Sequence, residues 1–434
     1  MRRREGRAKE GRNRRSRPSA SVSVVAQGSP ATVHFEAALA DTGGRVYCPH
    51  FGPCGGCDRL DITYAQELER KESAFRALFA AGTLAVNDTM LPILAAQKPL
   101  LWRTSLKLPF ARQARRLVCG FYEPGSHRIV DLQTCVVQHP HLLELALATR
   151  DLVRELHVPV YDEIQHRGVL RHLVARVASG THEMLAGFVV REAGSRPVRR
   201  LADHLMQRFA AAGLVGVVEN TNPERTNVIL GDRSEVLAGR AWMEERAGGL
   251  EFRTTLASFA QVNNEQAEVL YAEVLRVLGD VRERSIVDLY AGYGPIGLRL
   301  AQRGAQVVAI ERNPAAVREG MEAARRNGLE DRIRFVAAAA EDGFEIDEPI
   351  DAVVVDPPRR GLATRVIERL LGMNMSTLVY VSCNPKTLVR DLELLAPAFE
   401  VRSLRLVDLF PRTDHVEAVA MLRRRGRSRE GGSR

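Results

Sequence analysis

No apolar run in the 434-residue chain approaches the length of a bilayer span, and nothing after the basic segment MRRREGRAKEGRNRRSR supplies an apolar stretch with a small-residue cleavage site. A membrane-spanning helix and a secretory leader are thereby excluded, and the expectation is a cytoplasmic protein without membrane partners. No internal repeat is apparent. The six cysteines, at 48, 54, 57, 119, 135 and 383, are too clustered to read as a disulfide framework.

What the chain does have is an ordinary globular composition, 45% hydrophobic and 26% charged, over a length that suits two or three domains. Its formal charge of +9 is unevenly spread. Residues 1–17 contribute +7 and residues 423–434 contribute +5, so the body between them is slightly acidic. Arginine-rich tails on a near-neutral body suit a phosphate backbone, since cations held against a polyanion gain from counterion release; a merely solvated tail is the plainer alternative.

Three of the cysteines fall in Cys-Pro-His-Phe-Gly-Pro-Cys-Gly-Gly-Cys, with Cys48, Cys54 and Cys57 as candidate metal ligands and glycines that let the backbone wrap tightly. A fourth thiolate is needed, and Cys119 and Cys135 both stand in CGFYEPGSHRIVDLQTC. Four thiolates suit tetrahedral zinc or an iron-sulfur cluster equally.

The pattern along the chain divides it. Residues 1–47 read as a basic tail and linker with room for one or two strands, and a helix is expected from Ile62 to Leu78. From about Leu101 to Gly249 short strands (WRTSLKLPF, RLVCGFYEP, LVARVAS, HEMLAGFVVR, TNVILGDRSEVLAG) alternate with helices near 141–156 and 199–212. Residues 48–250 are therefore expected to form an α+β domain. Beyond it, NNEQAEVLYAEVLRVL opens with an Asn pair able to cap a helix. Strands at 285–291, 305–311, 333–338, 351–356 and 377–383 then alternate with helical segments, the pattern of a doubly wound parallel sheet over 251–424, with residues 425–434 as a tail. The last two strands, VRSLRLVDLF and Glu417–Leu422, are expected to be antiparallel.

Chemistry is expected where these strands end, because open α/β sheets bind ligands outside the carboxyl edge. Asp288-Leu-Tyr-Ala-Gly-Tyr-Gly-Pro-Ile-Gly297 carries a glycine loop after a strand, and Glu311 closes the strand VVAIE about twenty residues on, placed to accept from ribose hydroxyls. These two features suit either NAD or S-adenosylmethionine. Asp356-Pro-Pro-Arg-Arg-Gly361 is a rigid turn that aims a carboxylate at the crevice; Arg359 stands where amino-methylating enzymes keep a stacking aromatic. Cys383, in Ser-Cys-Asn-Pro after the apolar run TLVYV, is a soft nucleophile suited to adding to an electron-poor double bond, though most free cysteines are simply small buried hydrophobes. Glu417, with His415 as the lesser candidate, is the base that would accompany it.

Read in order, CPHFGPCGGC, GFYEPGSH with Cys135, SFAQVN, DLYAGYGPIGL, DPPRRGL, YVSCNP and HVEAV closely resemble the RNA uracil-C5-methyltransferase family, within it the iron-sulfur branch that modifies 23S ribosomal RNA. The resemblance runs from about Cys48 to Leu422. It implies a class I, Rossmann-like methyltransferase sheet behind an RNA-binding α+β domain, and a [4Fe-4S] cluster on Cys48, Cys54, Cys57 and Cys135, leaving Cys119 to packing. It implies S-adenosyl-L-methionine bound through Gln261, Tyr290, Gly292, Glu311 and Asp356. Cys383 becomes the nucleophile and Glu417 the proton acceptor, acting as a monomer on RNA. Where the pattern departs, with Ala291, Pro295, Ala339 and Ala260, the departures touch cofactor contacts, Glu341 or Asp342 standing in near the adenine; the N-terminal RNA-binding barrel of several relatives is not expected here. Transfer RNA as substrate, a radical S-adenosylmethionine enzyme and a non-catalytic RNA-binding protein are the competing expectations.

Overall fold

The computed structural model describes residues 44–80, 84, 86–343 and 349–425. The strand-like segment ATVHFEAAL and nearly all of both arginine tails lie outside the described residues.

The first helix, α1 (Tyr64–Ala80), is followed by strand β1 (Met90–Leu94). Next come β2 (Ser105–Gln113), β3 (Arg116–Tyr122), β4 (Ile129–Asp131), helix α2 (Pro140–Glu155), β5 (Leu170–Val177), β6 (Met184–Val190), helix α3 (Arg196–Phe209), β7 (Leu214–Thr221) and β8 (Arg233–Gly239). Seven of these strands make one sheet, in the order β4-β3-β2-β5-β6-β7-β8, mostly antiparallel. Leu142, Leu145, Leu201 and Leu205 of α2 and α3 pack on one face against Leu173 and Phe188. The hairpin β9 (Met243–Ala247) and β10 (Leu250–Thr254) lies toward the other, where Met243 meets Val174, Leu185 and Val218. Burial on both faces is why β6, MLAGFVV, reads as a continuous apolar run rather than an alternating one.

The remaining elements are α4 (Asn264–Leu278), β11 (Ser285–Leu289), α5 (Pro295–Gln302), β12 (Gln306–Glu311), α6 (Pro314–Arg326), β13 (Ile333–Ala337), β14 (Ala352–Val355), α7 (Thr364–Gly372), β15 (Thr377–Ser382), α8 (Pro385–Leu395), β16 (Phe399–Val407) and β17 (Glu417–Arg424). They build an eight-stranded sheet ordered β1-β16-β17-β15-β14-β11-β12-β13. The five strands from β13 to β15 are parallel, and β17 runs antiparallel to both β15 and β16. The α/β reading with an antiparallel final strand therefore holds. Asn263 caps α4 as its position suggested, accepting from the Gln266 amide. One face is covered by α4, α5 and α6 through Leu270, Val274, Leu298 and Ala323. The other is covered by α7, α8 and, from far upstream, α1, whose Phe75 and Phe79 sit with Ile367, Leu370 and Leu388.

The chain upstream of the seven-stranded sheet thus belongs partly to the second sheet. α1 docks on it, and β1 adds an edge strand beside β16. The strand LVGVVENT, β7, is a further element that the sequence pattern did not single out.

Candidate active site

Strand direction decides what gathers at one edge. Parallel β11, β12, β14 and β15 deliver Tyr290, Glu311, Asp356 and Cys383 to their common carboxyl end, while antiparallel β17 delivers its first residue, Glu417, to the same place. Ser382 pairs with Ala418 across β15 and β17, so the next residue on each strand, Cys383 and Glu417, continues the register into the crevice. The thiol and this carboxyl, 2% exposed, interact electrostatically, together with Asp356 and Arg359.

The turn that carries the thiol is tied down on both sides. Asn384 caps α8 through the Lys386 amide, Pro385 begins that helix, and the Asn384 side-chain amide donates to the Arg359 carbonyl at 2.8 Å. Thr387 Oγ1 donates to the same carbonyl. The Asp-Pro-Pro-Arg turn is held from below by Asp391, fully buried, which accepts from the Tyr380 hydroxyl at 2.7 Å and from the Leu362 amide at 2.8 Å. Asn-Pro therefore acts as a cap and a clamp between the Asp356 and Cys383 loops.

Electrostatics set the protonation of the cluster. Burial, then Glu417 and Asp356, push the Cys383 thiol up to about 11; burial lifts Asp356 to about 7; and burial followed by Asp356 raises Glu417 well above the carboxylate range. Three acidic groups confined together in low dielectric cannot all ionise, and such a pocket favours a cation that would let them do so. Asp288, 1% exposed below the glycine loop, is pushed up to about 8 by burial, Asp356 and Glu311, and accepts from the Gly297 amide.

On the cofactor side, Glu311 accepts from the Gly292 amide at 3.0 Å and the Asn313 amide at 2.7 Å. Tyr290 holds φ at 62°, a left-handed conformation that non-glycine residues adopt at a cost and that clusters at functional sites. Its hydroxyl lies 3.5 Å from Glu341, which also pairs with Arg360 at 3.2 Å. Gln261 shares a small cavity with Tyr293 of the glycine loop, Tyr271 and Arg176, so SFAQVN meets the glycine loop. His415, exposed, faces the ring of Phe410 with its centroid 6.1 Å away, and burial and Arg359 lower its pKa. It is near the cluster but outside the buried pair.

Arg176 is the residue that sequence reasoning missed. It projects from β5 of the first sheet and donates to the Thr255 and Ser258 carbonyls at 2.7 and 2.8 Å, fixing the loop that carries Gln261. Charged residues inside a wholly buried strand, LRHLVARV, were the available signal.

The four cysteines of the metal expectation come together. Cys48, Cys54, Cys57 and Cys135 line one small cavity walled by Leu60, Leu132 and Val136, and burial raises the first three thiols, with Cys135 adding to each rise. Cys119 lies apart, 2% exposed on β3 opposite Phe110. Among the described residues no three Cys, His, Asp or Glu side chains converge closely enough to form a single-ion site as they stand.

Comparison with known proteins agrees with this geometry. Residues 343–425 match the tRNA (Uracil-5-)-methyltransferase family, and residues 249–379 match the methyltransferase small domain. An uncharacterized RNA methyltransferase of Gloeobacter violaceus is 40% identical over 380 residues, covering 87% of this chain and 82% of its own. One of Halalkalibacterium halodurans is 34% identical over 380 residues, with coverage of 86% and 82%. The tRNA (uracil-54, C5)-methyltransferase of Pyrococcus abyssi, solved with S-adenosyl-L-homocysteine, superposes with a TM-score of 0.71 at 26% identity over 86% of both chains. With a thiol and a carboxyl paired at the methyltransferase sheet's edge, and relatives matched over most of their length, the chain belongs to the RNA uracil-C5-methyltransferase family.

Proposed function

We propose that the protein methylates carbon 5 of a uridine in 23S ribosomal RNA through a covalent enzyme–uracil adduct, acting as a cytoplasmic monomer. The observation that carries this reading is the continuation of the β15–β17 register, which sets Cys383 beside Glu417 with Asp356 next to them. Gln261, Tyr290, Gly292, Glu311 and Asp356 would hold S-adenosylmethionine, which supplies an electrophilic methyl group. The anionic surplus around Asp356 suits a sulfonium.

The chain's own residues account for the rest. Carbon 5 of uracil is a poor nucleophile, and addition of the Cys383 sulfur to carbon 6 breaks the ring double bond and loads its electron pair onto carbon 5. Once carbon 5 carries the methyl group, Glu417 takes its proton, the double bond re-forms, and the sulfur leaves as thiolate. Glu417 is buried and His415 exposed, which favours the carboxyl as base. A uracil inside folded RNA must leave its stack to reach this crevice, at a cost of a few kcal/mol that contacts to its neighbours offset.

Cys48, Cys54, Cys57 and Cys135 would hold a [4Fe-4S] cluster. Four thiols spread around one apolar cavity suit a polynuclear centre better than a single tetrahedral ion, and sulfurs that raise one another's pKa need positive charge between them. Its role is structural, bracing the RNA platform. The cysteine loop abuts the end of β3, where Gly55 approaches the Tyr122 carbonyl. Transfer RNA is the second reading, favoured by the Pyrococcus abyssi enzyme, whose substrate is tRNA.

Incubation with unmodified 23S and transfer RNA transcripts and a labelled methyl donor should yield 5-methyluridine in the 23S transcript. A 5-fluorouridine transcript should trap a covalent complex that Cys383→Ala abolishes. Methylation of tRNA alone would move the substrate assignment, and trapping by Cys383→Ala would end the covalent route.

A further inference from the structure

The seven-stranded sheet carries a second cavity, of about 580 Å³, at the opposite end of β5 from the cofactor loop. That volume lies within the range of sites that take small planar ligands. Arg176, near the end of β5, holds the SFAQVN loop; Arg171 and His172 line this cavity roughly 16 Å earlier on the same strand.

The cavity is built rather than incidental. Neighbours on a strand normally point to opposite faces, yet Arg171 and His172 both line it, and the β5–β6 register shifts between Leu170 and His172. Both residues are more than nine-tenths buried, and each leaves one polar atom without a partner: Arg171 Nε and His172 Nδ1. The rest of the Arg171 guanidinium is committed, donating to the Asn222 and Glu224 carbonyls at 2.6 and 2.7 Å and lying 4.8 Å from the Tyr161 ring centroid. Burial holds His172 near 4 and so neutral at physiological pH. Nearer the solvent, half-exposed Tyr122 stands beside His127 with ring centroids 5.9 Å apart, and Ile164 is 91% exposed.

Those two atoms are sealed from solvent, but both side chains line the cavity, so their remaining polar atoms are the ones a ligand there would meet. The ligand must be flat enough for an aromatic wall and must offer an acceptor to Arg171. It is neutral at its inner edge, because the lining mixes Arg112 and Arg171 with Asp162 and Glu163 instead of presenting one sign. A nucleobase has this combination of a π face and a hydrogen-bonding edge, and unpaired RNA bases are read in this way. We propose that the cavity receives an unpaired nucleobase of the substrate RNA, distinct from the uracil being methylated, with its face on the aromatic wall and its edge on Arg171 and His172. This rests on the reading of RNA as substrate and makes the first sheet a second grip on the strand.

The test uses the full chain with unmodified 23S and tRNA transcripts. Tyr122→Ala and Ile164→Glu change accessible side chains and should each weaken RNA binding about tenfold, the loss expected for one stacked base. Thermal stability and S-adenosylmethionine affinity should stay at wild-type values. Leu394→Ala, at an exposed position on α8, serves as the control and should bind RNA as wild type does. Transcripts containing 4-thiouridine should photocrosslink to peptides bearing Tyr122, His127 or Tyr161. Wild-type affinity in both variants, or crosslinks confined to other peptides, would overturn the proposal. Failure of the wild-type protein to form 5-methyluridine would instead count against the assigned reaction and leave these binding measurements to decide the cavity by themselves.

Discussion

At the scale of single residues, the proposed reaction requires moving protons among three groups that share too little water. The Cys383 thiol, pushed up to about 11 by burial, Glu417 and Asp356, is almost wholly protonated at neutral pH. If the Cys383 thiolate is the nucleophile, as proposed, the logarithm of kcat/KM should climb with pH from about 7 upward. A cation near Asp356 and Glu417 lowers that barrier. Ultraviolet titration of the thiolate, taken as the difference from Cys383→Ala, should therefore find a lower midpoint with S-adenosylmethionine than with neutral S-adenosylhomocysteine; equal midpoints would remove the electrostatic role given to the sulfonium. Glu417→Gln keeps the shape but loses the proposed base. It should slow turnover by about 10²–10⁴-fold while leaving a denaturation-stable protein–RNA adduct on ordinary substrate, visible as a shifted band, because the step after addition is the one that stalls.

Among the elements, α1 has the least expected place. Its buried stripe is Glu67, Lys71, Phe75 and Phe79, at every fourth residue, so half of the face turned inward is charged. Lys71 Nζ donates to Glu67 at 2.8 Å and to Asp408 at 2.7 Å, and Tyr64 donates to the other Asp408 oxygen at 2.6 Å. Glu67 also accepts from the Arg412 amide, so this network anchors the segment leading into β17 and Glu417. Lys71→Ala strands two buried carboxyls and should cost about 3–5 kcal/mol in urea unfolding, with a loss of turnover larger than the loss of cofactor affinity. The helix itself was legible in QELERKES, but its docking surface was not, because a pattern of polar residues gives no hint that two charges pair inside. β1 escaped for a related reason: MLPIL contains Pro92, which reads as a strand breaker, and an edge strand tolerates what a central one does not. By contrast, the strand ends carrying Tyr290, Glu311, Asp356 and Cys383 were readable to within a residue or two, since apolar runs closed by Gly, Pro or Asn leave little freedom in where a parallel strand stops. The approach of Arg176 to the Gln261 loop depends on contacts some eighty residues apart and has no local signature.

For the molecule as a whole, links between its two halves include Arg176 to the SFAQVN loop, the Thr104 amide to the Val262 carbonyl, Asn264 to Glu245 and Arg59 to Asp414. Stability should be sensitive to acid. Burial holds His139 and His172 at about 4, below the ordinary histidine value of 6.5. Both are neutral in either state above pH 6.5; as pH falls from 6.5 to 4 the unfolded chain takes up protons that the folded one refuses, and each site costs about 1.4 kcal/mol per pH unit across that window. Urea midpoints should drop between pH 7 and pH 4.5, and His139→Gln should flatten part of the drop. The antiparallel strand β17 has one more consequence, concerning the order in which the ribosome makes the parts. It fits between β15 and β16, both translated earlier, so the nascent sheet holds an open slot until residues 417–424 emerge. The proposed nucleophile, Cys383, is thus synthesised before the proposed proton acceptor, Glu417, and on that reading the newborn protein becomes competent only when β17 slides home.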